Sequence, residues 1–143
     1  MNEKSLQLCA RAARECTANS LRRASRQISA FFDAALAETG LRGTQFTLLT
    51  ALTVGGEMPL TRLAEALSLD RTTLTRNLAP LERQGLVASL PSADGRVRRV
   101  ALTARGQEVL ERALPRWETA QRRVVEALGE RKWKELMSTL QSL

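Results

Sequence analysis

The feature that most constrains the fold of this chain is a pair of short helical segments separated by only three residues. Residues 60–67 have the apolar spacing of a short helix, and the sequence Ser-Leu-Asp at 68–70 interrupts it. Asp70 can cap a second helix that runs from residue 71 to residue 84, and Gly85 can end that helix in a left-handed conformation. This order of elements predicts a helix-turn-helix.

A β-hairpin, which we call the wing, is expected directly after this unit. Residues 86–90 and 97–102 each have the composition of a short strand, and the sequence PSADG between them is rich in turn-forming residues. Three arginines, Arg96, Arg98 and Arg99, cluster at the tip and on the return strand. The predicted fold class is therefore mostly α, with a small β-hairpin wing.

Two helices are predicted before the helix-turn-helix. Apolar residues recur every three or four positions from residue 6 to residue 36, which predicts one long amphipathic helix that Gly40 and Gly43 end. Thr44 can then cap a second, largely buried helix that stops at Gly55.

Two further helices are predicted after the wing. Thr103 can cap a long helix whose apolar stripe reaches Leu128, and Pro115 is expected to kink it because proline cannot donate a hydrogen bond to the preceding turn. Gly129 ends this helix, and residues 133–143 have the pattern of a last short amphipathic helix.

Composition argues against catalysis and against a metal or cofactor. The 143 residues include no His, which removes the most common general base and metal ligand. The two cysteines cannot complete a tetrahedral zinc site, and the glycines form no phosphate-binding motif. We therefore expect a protein that is not an enzyme and that needs no cofactor.

No segment of the sequence is expected to enter a membrane. The longest unbroken apolar run is four residues, 34–37, whereas a membrane-spanning helix needs about 18. The first residues lack the continuous apolar stretch of a secretory signal, so we expect a cytoplasmic protein whose Cys9 and Cys16 are reduced.

The charge of the chain favours an anionic partner. Twenty-two basic and 15 acidic residues give a formal net charge of +7. Most of the basic residues are arginines, whose planar side chains pair bidentately with phosphates and with guanine edges. Double-stranded DNA is the partner that this charge and the helix-turn-helix together favour.

The helix predicted from residue 71 has two different faces. Leu74, Leu78 and Leu81 fall on one side at helical spacing and should pack into the domain. The opposite side carries small residues and arginines, which suits insertion into a major groove: Thr72, Thr73, Arg76, Ala79 and Arg83. The alternative is the solvated face of an ordinary helix.

Within the wing, Asp94 lies two residues before Arg96. The carboxylate can hold the arginine side chain in one orientation, which would make Arg96 a probe of the minor groove, favoured where A·T-rich sequence narrows that groove. The alternative is a solvated charged turn with a weak surface ion pair.

These residues resemble the MarR family of bacterial winged helix-turn-helix transcriptional regulators. The resemblance is most specific in LTRLAEALSLDRTTLTRNLAPLERQGLV, residues 60–87, and in DGRVRRVALTARG, residues 94–106. The second stretch looks like the wing motif of the family followed by its Leu-Thr-x-x-Gly start of the next helix. The N-terminal stretch SLRRASRQISAFFDAALAETGLRGTQFTLLTAL also resembles a branch of the family, so the match covers nearly the whole chain.

The resemblance implies a sequence-specific DNA-binding regulator, expected to be a repressor, that binds a pseudo-palindromic site as a homodimer. The residues predicted to contact DNA are Thr72, Thr73, Arg76 and Asn77 on the helix and Asp94, Arg96 and Arg98 in the wing. The chain would be a single domain, residues 1–143. Residues 44–104 would form the winged helix-turn-helix, and residues 1–40 and 105–143 a helical dimerisation region whose apolar stripes exceed what the winged part can cover.

The resemblance also implies control by a small-molecule effector, often an aromatic acid. In this sequence the candidate contacts are Arg22, Ser25 and Arg26, with Trp117 as a stacking surface. One alternative is thiol oxidation at Cys9 and Cys16, which an intact helix would hold about 10.5 Å apart and beyond the reach of an internal disulfide. The other alternative is a winged module that docks an acidic protein partner.

Overall fold

The computed structural model describes residues 1–91 and 97–142, and within these residues the chain forms seven α-helices and three short β-strands. The elements in chain order are α1 (Glu3–Glu15), α2 (Thr17–Leu36), α3 (Gly43–Gly55), β1 (Met58–Pro59), α4 (Leu60–Ala66), α5 (Arg71–Arg83), β2 (Val87–Leu90), β3 (Arg99–Leu102), α6 (Ala104–Leu128) and α7 (Glu130–Gln141). The predicted fold class is confirmed. None of these helices is long and apolar enough to cross a membrane.

The prediction of one helix over residues 6–36 is wrong, because the helix is interrupted at Cys16. Cys16 has extended backbone angles, with φ −65° and ψ 107°, and it separates α1 from α2. Residues 16–20, CTANS, are mostly weak helix formers, so a long helix breaks most easily here. After α2 ends at Leu36, a 3-10 turn follows, and Gly40 ends that turn with φ 77°.

Helix α3 is not capped by Thr44, which lies inside its first turn. The N-cap position is Arg42, and two other side chains bond the free amides at this helix end. Gln45 Oε1 accepts from the Arg42 N–H at 2.9 Å, and Asp33 Oδ1 accepts from the Gly43 N–H at 2.6 Å. Because Asp33 belongs to α2, this cap depends on the packing of α2 against α3.

Helices α4 and α5 form the predicted helix-turn-helix. The turn between them passes through Ser68, whose φ of 51° is left-handed. Asp70 caps α5 as predicted, since its carboxylate accepts from the Thr73 N–H at 2.8 Å. Gly85, with φ 69°, ends the helix at the predicted position.

The wing belongs to a three-stranded antiparallel sheet with the strand order β1-β3-β2. Its own two strands are shorter than predicted, with Val87 opposite Leu102 at one end and Leu90 opposite Arg99 at the other. The sequence did not predict β1, because a two-residue strand shows no periodicity. It forms by pairing with β3, where Met58 lies opposite Val100.

Helix α6 begins after the predicted cap, Thr103, and continues through Pro115 as one helix to Leu128. Gly129 adopts φ 80° and separates α6 from α7. The last helix begins at Glu130 rather than at residue 133, so the glycine leads directly into it.

The start of α6 is fastened to the end of the helix-turn-helix by a contact that we call the Thr103 junction, formed by Gly85, Leu86, Thr103 and Gly106. Thr103 Oγ1 donates to the Gly85 carbonyl oxygen at 2.7 Å and accepts from the Gly106 N–H at 3.0 Å. The Thr103 N–H donates to the Leu86 carbonyl oxygen at 3.1 Å. A Cβ atom on Gly106 would overlap that same carbonyl oxygen, so only glycine permits this approach.

A leucine-rich core lies between the helix-turn-helix, α3, the sheet and the first half of α6. Its fully buried side chains, with less than 2% exposure, are Leu36, Leu48, Leu49, Leu52, Leu63, Leu74, Leu78, Leu81 and Val100. Each of them stabilises the fold by roughly 1.5–3 kcal/mol relative to an exposed side chain. The core therefore holds α5 in a fixed orientation.

Replacing Gly106 with Ala is expected to lower the free energy of unfolding by about 1–3 kcal/mol, because the added methyl group must displace backbone rather than a flexible side chain. Arg105→Ala, at the exposed neighbouring position, is the control and should change it by less than about 0.5 kcal/mol. Urea denaturation followed by circular dichroism measures both variants. Equal stabilities would contradict the close approach at the Thr103 junction.

Candidate DNA-binding surface

Helix α5 has the buried face and the outward face that its sequence predicts. Leu74, Leu78 and Leu81 each have 0% exposure. The residues predicted to face outward divide into an exposed group, Thr72, Arg76 and Arg83, and a half-buried group, Thr73 and Ala79. Asn77, predicted as a DNA contact, is also half-buried. The most exposed of them lie on the first two turns and at the end of the helix.

Thr73 takes part in the N-cap of α5. Its hydroxyl donates to Asp70 Oδ2 at 2.6 Å, and its backbone N–H donates to Asp70 Oδ1. These two hydrogen bonds hold the pKa of Asp70 below its usual range, and the bond from the hydroxyl has the larger effect. The cap is therefore charged at neutral pH, and it fixes the turn that presents Thr72.

The outward side of α5 forms a shallow concave surface of about 460 Å³, which we call the α5 surface. Its lining residues are Arg71, Thr72, Thr75, Arg76 and Ala79. The sequence prediction omits Arg71 and Thr75, although Arg71, Thr75 and Ala79 follow one another at intervals of four residues, which places all three on one ridge of the helix. That spacing was the signal that could have found them.

The α5 surface is basic because its arginines are not neutralised. Within residues 1–91 and 97–142, neither Arg71 nor Arg76 makes an ion pair. The nearest acids in the sequence are engaged elsewhere, Asp70 in the helix cap and Glu82 with the wing. Two arginines beside small side chains on one helix face suit a major groove about 12 Å wide.

Glu82, in the last turn of α5, is bonded to the wing. Its Oε1 accepts from Ser89 Oγ at 2.6 Å and from the Arg98 guanidinium at 2.5 Å, while Arg98 Nε donates to Ser89 Oγ at 2.8 Å. We call this closed triangle the Glu82 clamp. It holds the base of the wing at a fixed position relative to the α5 surface.

Opposing effects act on the Glu82 carboxyl. Burial raises its pKa, but the hydrogen bonds from Ser89 and Arg98, together with the charge of Arg98, outweigh burial and hold the pKa below its usual value of 4.5. A carboxyl whose pKa falls on folding stabilises the folded state above its ordinary pKa. That contribution is lost as the pH falls through the lower, folded-state pKa.

The predicted wing residues have different positions. Asp94 and Arg96 lie outside the described residues. Arg98 is held in the Glu82 clamp, and Arg99 Nε donates to Glu57 Oε1 at 2.6 Å beside β1. The side chains of Arg98 and Arg99 therefore position the sheet, and a DNA contact by Arg98 stays a prediction.

The residues predicted to bind a small molecule are not brought together in one groove. Trp117 stacks on Phe46 with ring centroids 5.9 Å apart, and both border a groove of about 380 Å³ between α2, α3 and α6. Arg22, Ser25 and Arg26 are exposed on α2 and lie outside the lining of that groove. Their role in binding a ligand stays a prediction.

Both cysteines are exposed, with free thiols. Cys9 lies within α1, and Cys16 forms the break between α1 and α2. One continuous helix through both cysteines is therefore not formed, because α1 ends at Glu15. Redox control through these cysteines stays a prediction.

The short helix α4, the tight turn, the half-buried helix α5 and the hairpin that follows together define a winged helix-turn-helix protein. The model of the MarR family matches residues 41–97. The transcriptional regulator MosR of M. tuberculosis, solved in complex with DNA, is 36% identical, with 90% of this chain and 96% of that chain covered and a TM-score of 0.80. The chain belongs to the MarR family of transcriptional regulators.

Two more solved structures share this fold. CouR, a transcriptional repressor bound to a 23-mer DNA duplex, is 28% identical, with 92% of this chain and 94% of that chain covered and a TM-score of 0.83. A mutant of MarR from E. coli, complexed with operator DNA, is 20% identical, with 92% and 96% covered and a TM-score of 0.83, and it shows the fold alone. Comparison with curated protein sequences gives no match.

The Glu82 clamp predicts a specific dependence of stability on pH. Glu82→Gln removes the charge at similar size, and we expect it to lower the free energy of unfolding at pH 7 by on the order of 1 kcal/mol. The difference from the unaltered protein should shrink as the pH falls through 4.5 and below, since protonation removes the same contribution there. Urea denaturation across this pH range measures it.

The matched control is Glu108→Gln, which makes the same chemical change at an exposed position of α6. Its unfolding free energy should differ little from that of the unaltered protein at every pH. A Glu82→Gln difference that stayed constant as the pH fell well below the ordinary carboxyl pKa would contradict the assignment of the pH dependence to the clamp.

Proposed function

We propose that this chain is a sequence-specific DNA-binding transcriptional regulator whose α5 surface contacts base edges in the major groove. The observation that carries the proposal is the α5 surface itself. Arg71 and Arg76 make no ion pair among the described residues, and they flank small side chains on a helix held by buried leucines. Arginine pairs with guanine edges, and small side chains allow close approach to a base.

The DNA-bound relatives support the same role. MosR and CouR were both solved with DNA, at 36% and 28% identity to this chain. A basic α5 surface is the feature of this chain that would make such a complex. Phosphate contacts from arginine supply affinity on any sequence, while contacts to base edges select one.

The chain acts as a homodimer in this proposal, through the helices outside residues 44–104. No residue of α1 or α7 is buried within the chain. Large apolar side chains are exposed on α1, α2, α6 and α7: Leu6, Leu8, Leu21, Ile28, Leu114, Leu128, Leu136 and Leu140. A second copy would cover them, because isolated helices with such stripes are only marginally stable. Two-fold pairing would set two α5 helices about one DNA turn apart on a pseudo-palindromic operator.

Repression, with release by a small aromatic acid, completes the proposed function. The groove beside Trp117 supports an effector site, since α2, α3 and α6 surround about 380 Å³ there and the aromatic rings of Phe32, Phe46 and Trp117 belong to its lining. Arginine-bearing turns of α2, with Arg22 and Arg26, lie on the N-terminal side of the α2 residues that line this groove. Effector binding between these helices would change DNA binding through the Thr103 junction, which connects α6 to the end of the helix-turn-helix.

Selection from a random pool of duplexes, followed by fluorescence anisotropy at physiological salt, tests the proposed function. The selected duplex should bind at least about a thousandfold more tightly than a scramble of the same composition. Equal and weak binding of both would contradict sequence-specific recognition. It would favour the alternative, a winged module that docks an acidic protein.

Arg76→Ala is expected to weaken binding to the selected duplex by roughly 1–3 kcal/mol and to reduce the preference for that duplex over the scramble, because a base contact is lost. Lys132→Ala is the control, since it removes one positive charge from exposed α7. It should weaken both duplexes slightly and to the same degree. If Arg76→Ala weakens both duplexes equally, Arg76 contacts phosphate and reads no base.

Sedimentation at micromolar concentration tests the homodimer. The unaltered chain of 15.8 kDa should sediment with twice that mass. Leu136→Glu combined with Leu140→Glu should yield monomers, because two charges would be buried in the proposed interface. Val54→Glu, which changes an apolar residue 85% exposed on α3, should remain dimeric. A monomeric mass for the unaltered chain would overturn the homodimer.

A further inference from the structure

We propose that Thr75 and Ala79 contact the 5-methyl group of a pyrimidine in the major groove, next to a base that Arg76 contacts. The methyl group is that of thymine or, at the same position of the groove, that of 5-methylcytosine. This inference rests on the proposed function, and it adds the base chemistry that the α5 surface selects.

The orientation of Thr75 is the first observation behind this proposal. Its Oγ1 donates to the Arg71 carbonyl oxygen one turn earlier, at 2.8 Å, so the hydroxyl is turned back onto the helix backbone. Thr75 is nevertheless exposed. With the hydroxyl held against the helix, the outward part of the side chain is its Cγ2 methyl group.

The neighbours of Thr75 extend this apolar spot. Ala79 lies four residues further on, on the same ridge of α5, and its Cβ also lines the α5 surface. Arg71 and Arg76 line the same concave surface. Methyl groups beside two arginines make a small apolar area within a basic surface. Apolar contact by Ala or by a Thr methyl group is how proteins bind the thymine methyl.

Burying this spot against a base leaves no polar group of Thr75 unpaired. The bond to Arg71 already satisfies the hydroxyl proton, so the close approach of a base methyl carries little desolvation penalty. Thr73, by contrast, uses its hydroxyl in the cap of α5 and does not line the α5 surface. Of these two threonines, only Thr75 is placed to offer a methyl group to the groove.

The contact distinguishes bases that pair identically. Thymine and uracil present the same hydrogen-bonding groups, as do 5-methylcytosine and cytosine, and each pair differs only by the methyl group in the major groove. Burying a group of that size is worth about fourfold in affinity. The protein would therefore bind more tightly to an operator that is methylated at a cytosine in this position.

The test uses the duplex that the full chain selects from a random pool, with each thymine of one half-site replaced singly by uracil. One replacement is expected to weaken binding about fourfold, and cytosine and 5-methylcytosine at that position should differ by the same factor. If every replacement leaves the affinity unchanged, the proposal is overturned. If no duplex is selected over a scramble, the proposed function has failed instead.

Two substitutions at Thr75 assign the methyl contact. Thr75→Ser keeps the hydroxyl but removes the methyl group, so its affinities for the thymine and uracil duplexes should become equal. Thr75→Val removes the hydroxyl but keeps a methyl group in the same place, so it should retain the fourfold difference. A difference that persists in Thr75→Ser, or that is lost in Thr75→Val, would overturn the assignment to Thr75.

Discussion

The burial of three leucines on α5 is the constraint that determines which residues of this helix form the α5 surface. Leu74, Leu78 and Leu81 are fully enclosed by the core. A rotation of α5 by one residue position would expose part of this stripe and turn Arg76 towards the core, where an unpaired charge costs several kcal/mol. The outward residues are therefore determined by what the other face must bury. This explains why small polar and basic side chains can occupy the α5 surface without contributing to the core.

The position of the wing is determined by contacts at its base on three sides. The Glu82 clamp joins it to the end of α5, the Thr103 junction joins it to α6, and Arg99 joins it to Glu57 beside β1. Gly106 approaches the Leu86 carbonyl group backbone to backbone, with no side chain of its own between them that could change conformation if α6 moved. A shift at the start of α6 must therefore move the backbone between α5 and β2. The helices proposed to form the dimer are in this way mechanically connected to the surface proposed to bind DNA.

The parts that could be predicted from the sequence are those determined by local interactions. The cap at Asp70, the leucine stripe and the stop at Gly85 each act within a few residues, and all three lie where the sequence placed them. The parts that could not be predicted depend on distant partners. Strand β1 exists only because Met58 pairs with Val100, and α3 is capped from α2 by Asp33. The break at Cys16 has a local cause, the weak helix formers at residues 16–20. The prediction missed it because the apolar periodicity from residue 6 to residue 36 favours one continuous helix.

The same distinction separates arginines that look alike in the sequence. Arg98 follows the predicted wing tip, and the sequence predicts that it contacts DNA. In the structure its guanidinium donates a hydrogen bond to Glu82, 16 residues away. Arg71 was not singled out, yet it lines the α5 surface and makes no ion pair within the described part of the chain. Net charge measures attraction to DNA as a whole, whereas a base contact needs a guanidinium that is both outward and unpaired. The base selection proposed for α5 therefore depends on the acids at its two ends. Because Asp70 is held by the cap and Glu82 by the wing, neither neutralises the arginines between them.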